Sequence, residues 1–154
     1  MSSAQEILED YDVAVIGGGP AGATAATELA RRGHRVWLLD RPGRIKPCGG
    51  AIPPRLIRDF DIPDHLIVAR ANCARVVAPS ASEVDMPIEG GYVGMVDREV
   101  YDEWLRERAA REGAVRRDGA FERLEQAGDD VIVYYRPQGA GRNGPLARIR
   151  ARAV

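Results

Sequence analysis

Residues 11–40 read YDVAVIGGGPAGATAATELARRGHRVWLLD, and this stretch decides the fold. Its first six residues, YDVAVI, are a short β-branched, apolar run ending in glycines, the pattern of a strand buried in a parallel sheet. PAGATAATELARR, 20–32, follows as a helix, with proline at the first helical position and Gly33 as the stop. RVWLLD, 35–40, is a second apolar strand closed by an acid. Strand, glycine turn, helix and strand in such quick succession make a βαβ unit, whose crossover is right-handed.

Between the first strand and the helix, Gly17, Gly19 and Gly22 spell GxGxxG. The first glycine permits a tight turn, the second lets a pyrophosphate approach the backbone, and the third lets the helix pack on the strand. Pro20, Ala21 and Gly22 open the helix, whose unpaired N–H groups and dipole attract phosphate. Asp40 ends the second strand 23 residues after Gly17, where a carboxylate accepts hydrogen bonds from an adenosine ribose. The bland readings are a glycine-rich turn without a ligand and a surface acid at 40. The pattern does not separate FAD from NAD. Asp40 argues against NADP here, since it repels a 2′-phosphate.

Working outward, residues 53–60 form a candidate short helix and 73–96 a small antiparallel excursion. Residues 98–112 are helical, with Asp97 as N-cap and Tyr101, Trp104, Leu105 and Ala109 along one core-facing side. The last forty residues divide into two or three strands, with VIVYYRP and LARIRARAV flanking a Gly/Asn-rich turn. The final strand stops in mid-pattern, so the chain is expected to be truncated at its C-terminus.

Twenty-two basic against 23 acidic side chains leave a net charge of −1, without the surplus that nucleic-acid binding calls for. Cys48 and Cys73 are far apart and belong to no metal-ligand spacing, so no metal site and no disulfide is expected, and a reducing cytoplasm is the expected compartment. The longest uncharged run, Val13 to Thr27, is broken by four glycines and Pro20 and is too short to span a bilayer. Any membrane contact is therefore expected to be peripheral. His34 and His65 have no partner pattern.

A second stretch narrows the reading. GGGPAGATAATELARRGHRVWLLDR together with KPCGGAIPPRL, 46–56, resembles the FAD-binding N-terminus of the geranylgeranyl reductases, within the flavoproteins similar to p-hydroxybenzoate hydroxylase. It is most like the branch acting on geranylgeranyl-(bacterio)chlorophyll, in which a Lys-Pro-Cys-Gly-Gly-Ala-Ile-Pro loop follows the ribose acid. VDREVYDEWLRERAAREGA, 96–114, matches the Asp-Arg helix of that group, so the resemblance covers essentially the whole chain.

The resemblance implies an α/β fold: a Rossmann-like FAD-binding domain with a βαβ start and added antiparallel strands. Residues 1–154 would be its N-terminal part, with a substrate-side segment beginning at about 67–96. It implies that the cysteine loop runs along the flavin. Gly49 and Gly50 would let the backbone pass close to a flat ring, and Pro47, Pro53 and Pro54 would hold the loop extended. Cys48 would then be a packing residue, a weak proton donor or a redox-sensitive thiol, and Cys73 an ordinary buried cysteine. Arg98 would lie near the cofactor's phosphates and ribityl chain, Arg41 over the adenine or out in solvent, and Ala120 would lend backbone contacts to adenine.

The activity implied is NADPH-dependent, stepwise saturation of three of the four double bonds of a geranylgeranyl group to phytyl. The substrate would be geranylgeranyl-bacteriochlorophyll or geranylgeranyl diphosphate, met in the cytoplasm or peripherally on a photosynthetic membrane. Isolated alkenes are not electrophilic, so a proton donor must build carbocation character while flavin delivers hydride. A second Gly-Asp motif of that group is not among these residues, so the chain alone is expected to hold FAD weakly and to show no turnover. Two other readings stay open: an FAD aromatic monooxygenase and a non-catalytic dinucleotide-binding module.

Overall fold

The computed structural model describes residues 8–43, 45 and 47–154. Lys46 of the cysteine loop lies outside them. In chain order the elements are β1 (Asp10–Ile16), α1 (Pro20–Arg31), β2 (Val36–Asp40), β3 (Ala51–Ile52), α2 (Pro54–Asp59), a 3-10 turn (Asp64–Leu66), β4 (Ile67–Ala71), β5 (Cys73–Val77), β6 (Glu83–Pro87), β7 (Val93–Val96), α3 (Arg98–Arg111), β8 (Val115–Ala127), β9 (Asp130–Pro137) and β10 (Ala147–Ala153). The chain divides into two compact units, one from residues up to 44 and from 102 onward, the other from residues 45–101.

The first unit is built on five strands hydrogen-bonded in the closed order β1-β10-β9-β8-β2. β1 pairs in parallel with β2 and with β10, and β2 pairs in parallel with β8. β8, β9 and β10 form an antiparallel meander. The run VWLL in β2 is continuous rather than alternating because both of its faces are covered. Trp37 and Leu39 join Tyr11, Val133, Tyr135 and Ile149 in the cluster within the strand ring, where Trp37 meets Tyr135 edge-on at 4.9 Å. Val36 and Leu38 pack on the other face with Ala26 of α1 and Ala109 of α3. Each buried valine, leucine or isoleucine among them stabilises the fold by roughly 1.5–3 kcal/mol.

Small residues let α1 come close. Ala23, Ala26 and Thr27 are buried, and the Thr27 hydroxyl donates to the Ala23 carbonyl at 2.8 Å. The helix stops where predicted: Gly33 adopts φ +83° and its N–H donates to the Ala30 carbonyl at 2.9 Å.

The second unit is antiparallel. β7 lies between β3 and β4, and β5 and β6 form a two-stranded sheet. The helix expected at 53–60 forms as α2. Asp97 caps α3 as predicted, its Oδ1 accepting the Glu99 N–H at 2.9 Å. Tyr101, Leu105 and Ala109 of α3 are buried, and Trp104 is half-buried under the Arg108 guanidinium, 4.7 Å from its ring centre. One expectation is corrected. Cys73 is exposed, because every residue of β5 and β6 is exposed. His34 and His65 are exposed as well.

Candidate nucleotide-binding site

The site is assembled at the C-terminal ends of β1 and β2. Gly17 leaves β1 at φ +106°, a left-handed conformation that glycine alone adopts without strain, and its N–H donates to the Leu39 carbonyl at 2.8 Å. That bond ties the glycine turn to the end of β2, next to Asp40. At the third glycine the fit is closest, for a Cβ on Gly22 would stand 1.8 Å from the Gly17 carbonyl oxygen. The glycine there is what allows the helix to begin against the turn.

No side chain caps α1, and its first turn carries no acid. The first intrahelical bond runs from the Ala23 N–H to the Gly19 carbonyl at 2.9 Å. The amides of Ala21 and Gly22 precede it and have no acceptor within the helix, while Pro20 has no N–H to satisfy. A helix end with open amides, a positive dipole and no carboxylate is a receptor for phosphate. The residues present therefore fit a dinucleotide.

Ile16, Gly17, Leu39, Asp40, Arg41, Gly119 and Phe121 line one cleft of about 230 Å³. A neighbouring cleft of about 310 Å³ is lined by Arg41, Gly119, Ala120, Arg136, Arg142 and residues between them. Gly17, Asp40, Arg41 and Ala120, singled out from the sequence, are thus brought together around two adjoining hollows. Arg41 is exposed and Ala120 half-buried. Gly119 escaped the sequence reading, although a Cβ there would lie 2.5 Å from the Arg136 carbonyl oxygen. β8 and β9 approach too closely at that point for any other residue.

The second omission is Arg106. Its Nε stands 2.9 Å from Asp40 Oδ2 and donates to the Gly18 carbonyl, also at 2.9 Å. Arg106 Nη1 donates to Glu103 Oε2 at 3.0 Å, and Glu103 in turn accepts from both terminal nitrogens of Arg116. Arg116 also faces Asp118 at 3.6 Å. Acids and bases therefore alternate from Asp118 to Asp40. The Arg116 hydrogen bonds hold the Glu103 carboxyl below its ordinary pKa, partly opposed by burial and helped by Arg106. The same contact with Glu103 raises Arg116.

Cys48, Gly49, Gly50 and Arg98 belong to the second unit. Cys48 and Gly49 are exposed, and Arg98 is half-buried at the start of α3. Gly50 is buried at φ +73°, and a Cβ there would meet the Val96 carbonyl oxygen at 2.1 Å. Its own sheet thus accounts for that glycine. A Cβ on Gly49 would meet nothing within 4 Å. Among the described residues no group of three or more His, Cys, Asp or Glu side chains could hold a metal, and no helix is long and apolar enough to cross a membrane.

A βαβ unit with a glycine turn, open helix amides and a carboxylate at the end of the second strand defines a dinucleotide-binding domain. The chain belongs to the pyridine nucleotide-disulphide oxidoreductase family, whose model matches residues 11–134. It is 61% identical over 131 residues to a geranylgeranyl diphosphate reductase of Rhodobacter capsulatus, covering 85% of this chain and 34% of that protein. To the chloroplastic geranylgeranyl diphosphate reductase of Nicotiana tabacum it is 43% identical over 119 residues, covering 73% of this chain and 25% of the relative. In structure it is similar to a geranylgeranyl bacteriochlorophyll reductase-like protein from Thermoplasma acidophilum, with a TM-score of 0.81 and 26% identity over 93% of this chain and 38% of the other. The chain spans about a third or less of the length of these curated relatives.

Proposed function

We propose that the chain is the FAD-binding portion of a geranylgeranyl reductase in (bacterio)chlorophyll biosynthesis. The full protein saturates double bonds of a geranylgeranyl group, esterified to a bacteriochlorophyll or free as the diphosphate, with NADPH as reductant. The supporting observation is that Gly17 of the glycine turn and Asp40 line one cleft, with the uncapped end of α1 following that turn, in a chain 61% identical to a protein bearing that name.

In this reading the amides of Ala21 and Gly22 take the pyrophosphate, and Asp40 accepts from the adenosine ribose. Arg41 and the backbone at Ala120 border the adenine, and Gly17 and Gly19 leave room for the phosphates. Gly49 and Arg98 serve the flavin half, and Gly50 holds the loop against its own sheet. When bound, the flavin supplies the hydride. Cys48 Sγ gives up the proton that builds positive charge on the alkene, acting as a general acid.

The test is reconstitution of the full gene product with FAD under anaerobic conditions. Supplied with NADPH and either geranylgeranyl diphosphate or geranylgeranyl-bacteriochlorophyll, it should give dihydro, tetrahydro and phytyl products, resolved by mass. If neither substrate is reduced, while a phenol is hydroxylated in a parallel assay run in air, the reductase reading is overturned.

A further inference from the structure

We propose that Arg106 is a positioning residue for the nucleotide ribose, acting through Asp40. The inference rests on the reading of Asp40 as the ribose acceptor and adds a residue from α3, on the opposite side of a 66-residue sequence gap.

Arg106 is 5% exposed. Burying a guanidinium is costly unless partners repay its lost hydration, so its partners identify its task. They are Asp40 Oδ2 and the Gly18 carbonyl, each 2.9 Å from the same Nε, with Glu103 holding Nη1 at 3.0 Å. One nitrogen therefore joins the acid to the middle of the glycine turn. The planar fork of an arginine can bridge these groups in a fixed geometry, whereas a lysine brings only a point charge. Gly18 completes the arrangement, since a Cβ there would lie 2.9 Å from Asp40 Oδ2 and 3.0 Å from Arg106 Nε. Even alanine at 18 would push into the pair. The carboxylate that meets a ribose is thus held through Oδ2 by a buried guanidinium, and in this inference the sugar hydroxyl donates to Oδ1.

The experiment uses the purified full gene product and measures ADP and 2′-deoxy-ADP affinity by calorimetry, with no turnover required. A hydrogen bond from the 2′-hydroxyl to a fixed carboxylate should make the wild type prefer ADP by about tenfold or more. Arg106→Gln should reduce that preference to about threefold or less, beyond any general loss of affinity. Arg106→Lys retains the charge without the fork; it should fall between the two, and it provides the readout if Arg106→Gln does not fold. A merely structural role would lower the melting temperature and weaken both nucleotides equally. A folded Arg106→Gln or Arg106→Lys protein with the wild-type ratio overturns the inference while leaving the Asp40 assignment intact. A wild type that binds both nucleotides equally overturns that assignment, and this inference with it.

Discussion

Gly22 and Gly17 are in contact across the opening turn of α1: a Cβ on Gly22 would sit 1.8 Å from the Gly17 carbonyl oxygen, far inside van der Waals contact. The Gly17 carbonyl belongs to the backbone and its N–H is already committed to Leu39, so neither side can yield cheaply. Gly22→Ala should therefore destabilise the protein by about 3 kcal/mol, the top of the usual range for overpacking, or prevent folding. Thermal melting checks this. Gly19→Ala is the contrast, because a Cβ at 19 meets nothing within 4 Å. Its melting temperature should stay close to wild type while nucleotide affinity falls.

The same comparison separates two uses of glycine in the cysteine loop. Gly50 is held at φ +73°, its carbonyl accepts the Val96 N–H at 2.9 Å, and a Cβ would strike the Val96 carbonyl. Gly50→Ala should cost on the order of 2 kcal/mol or more from backbone strain and the clash. Gly49 has open space and no left-handed φ. Gly49→Ala should leave the melting temperature unchanged, so any drop in flavin affinity on that background reports contact with the cofactor. An unchanged affinity would remove Gly49 from the flavin site.

Glu103 gives an acid-side signature. Arg116 hydrogen bonds lower its pKa in the folded state, so folding is favoured by the ionised form. Its contribution is complete above the ordinary glutamate pKa and is lost as pH falls through the lowered folded value. The side chain is 42% exposed, so the contribution is discounted to about 0.5–1 kcal/mol. Glu103→Gln should be less stable than wild type by that amount near neutrality, and the two should converge in acid. Urea unfolding across the acid range measures the convergence; parallel curves would refute it.

The βαβ start was legible because its causes are local. Pro20 and Gly33 punctuate α1 where expected, and an apolar run ending in an acid marks β2. The closing of five strands was not, since the pairing of Tyr11 with Ala151 joins residues at opposite ends of the chain and leaves no trace in local periodicity. The Arg106–Asp40 pair was hidden for the same reason, in a helix already crowded with arginines. Alternation in β5 correctly signalled a strand. On one face of the hairpin, cross-strand pairs Ala74–Met86 and Val76–Val84 are apolar, and on the other Arg75 binds Asp85. Such a pattern says which residues share a face, not whether that face is covered, and Cys73 was misplaced in consequence.

The proposed reaction needs a proton donor, and the proposal assigns that proton to Cys48. Its thiol is exposed in a loop that the two glycines beside it leave without bulk. If Sγ donates the proton, Cys48→Ala removes general-acid assistance, an effect of about a hundredfold or more on the chemical step. The step to watch is single-turnover reoxidation of the reduced, reconstituted protein by geranylgeranyl diphosphate, which isolates chemistry from reduction by NADPH. Cys48→Ser keeps the size and a hydroxyl but is a far weaker acid, so it should resemble the alanine variant. Were Cys48 only a packing residue, serine would behave as wild type and alanine would change substrate affinity more than rate. A reoxidation rate that survives both substitutions would assign the proton to another group.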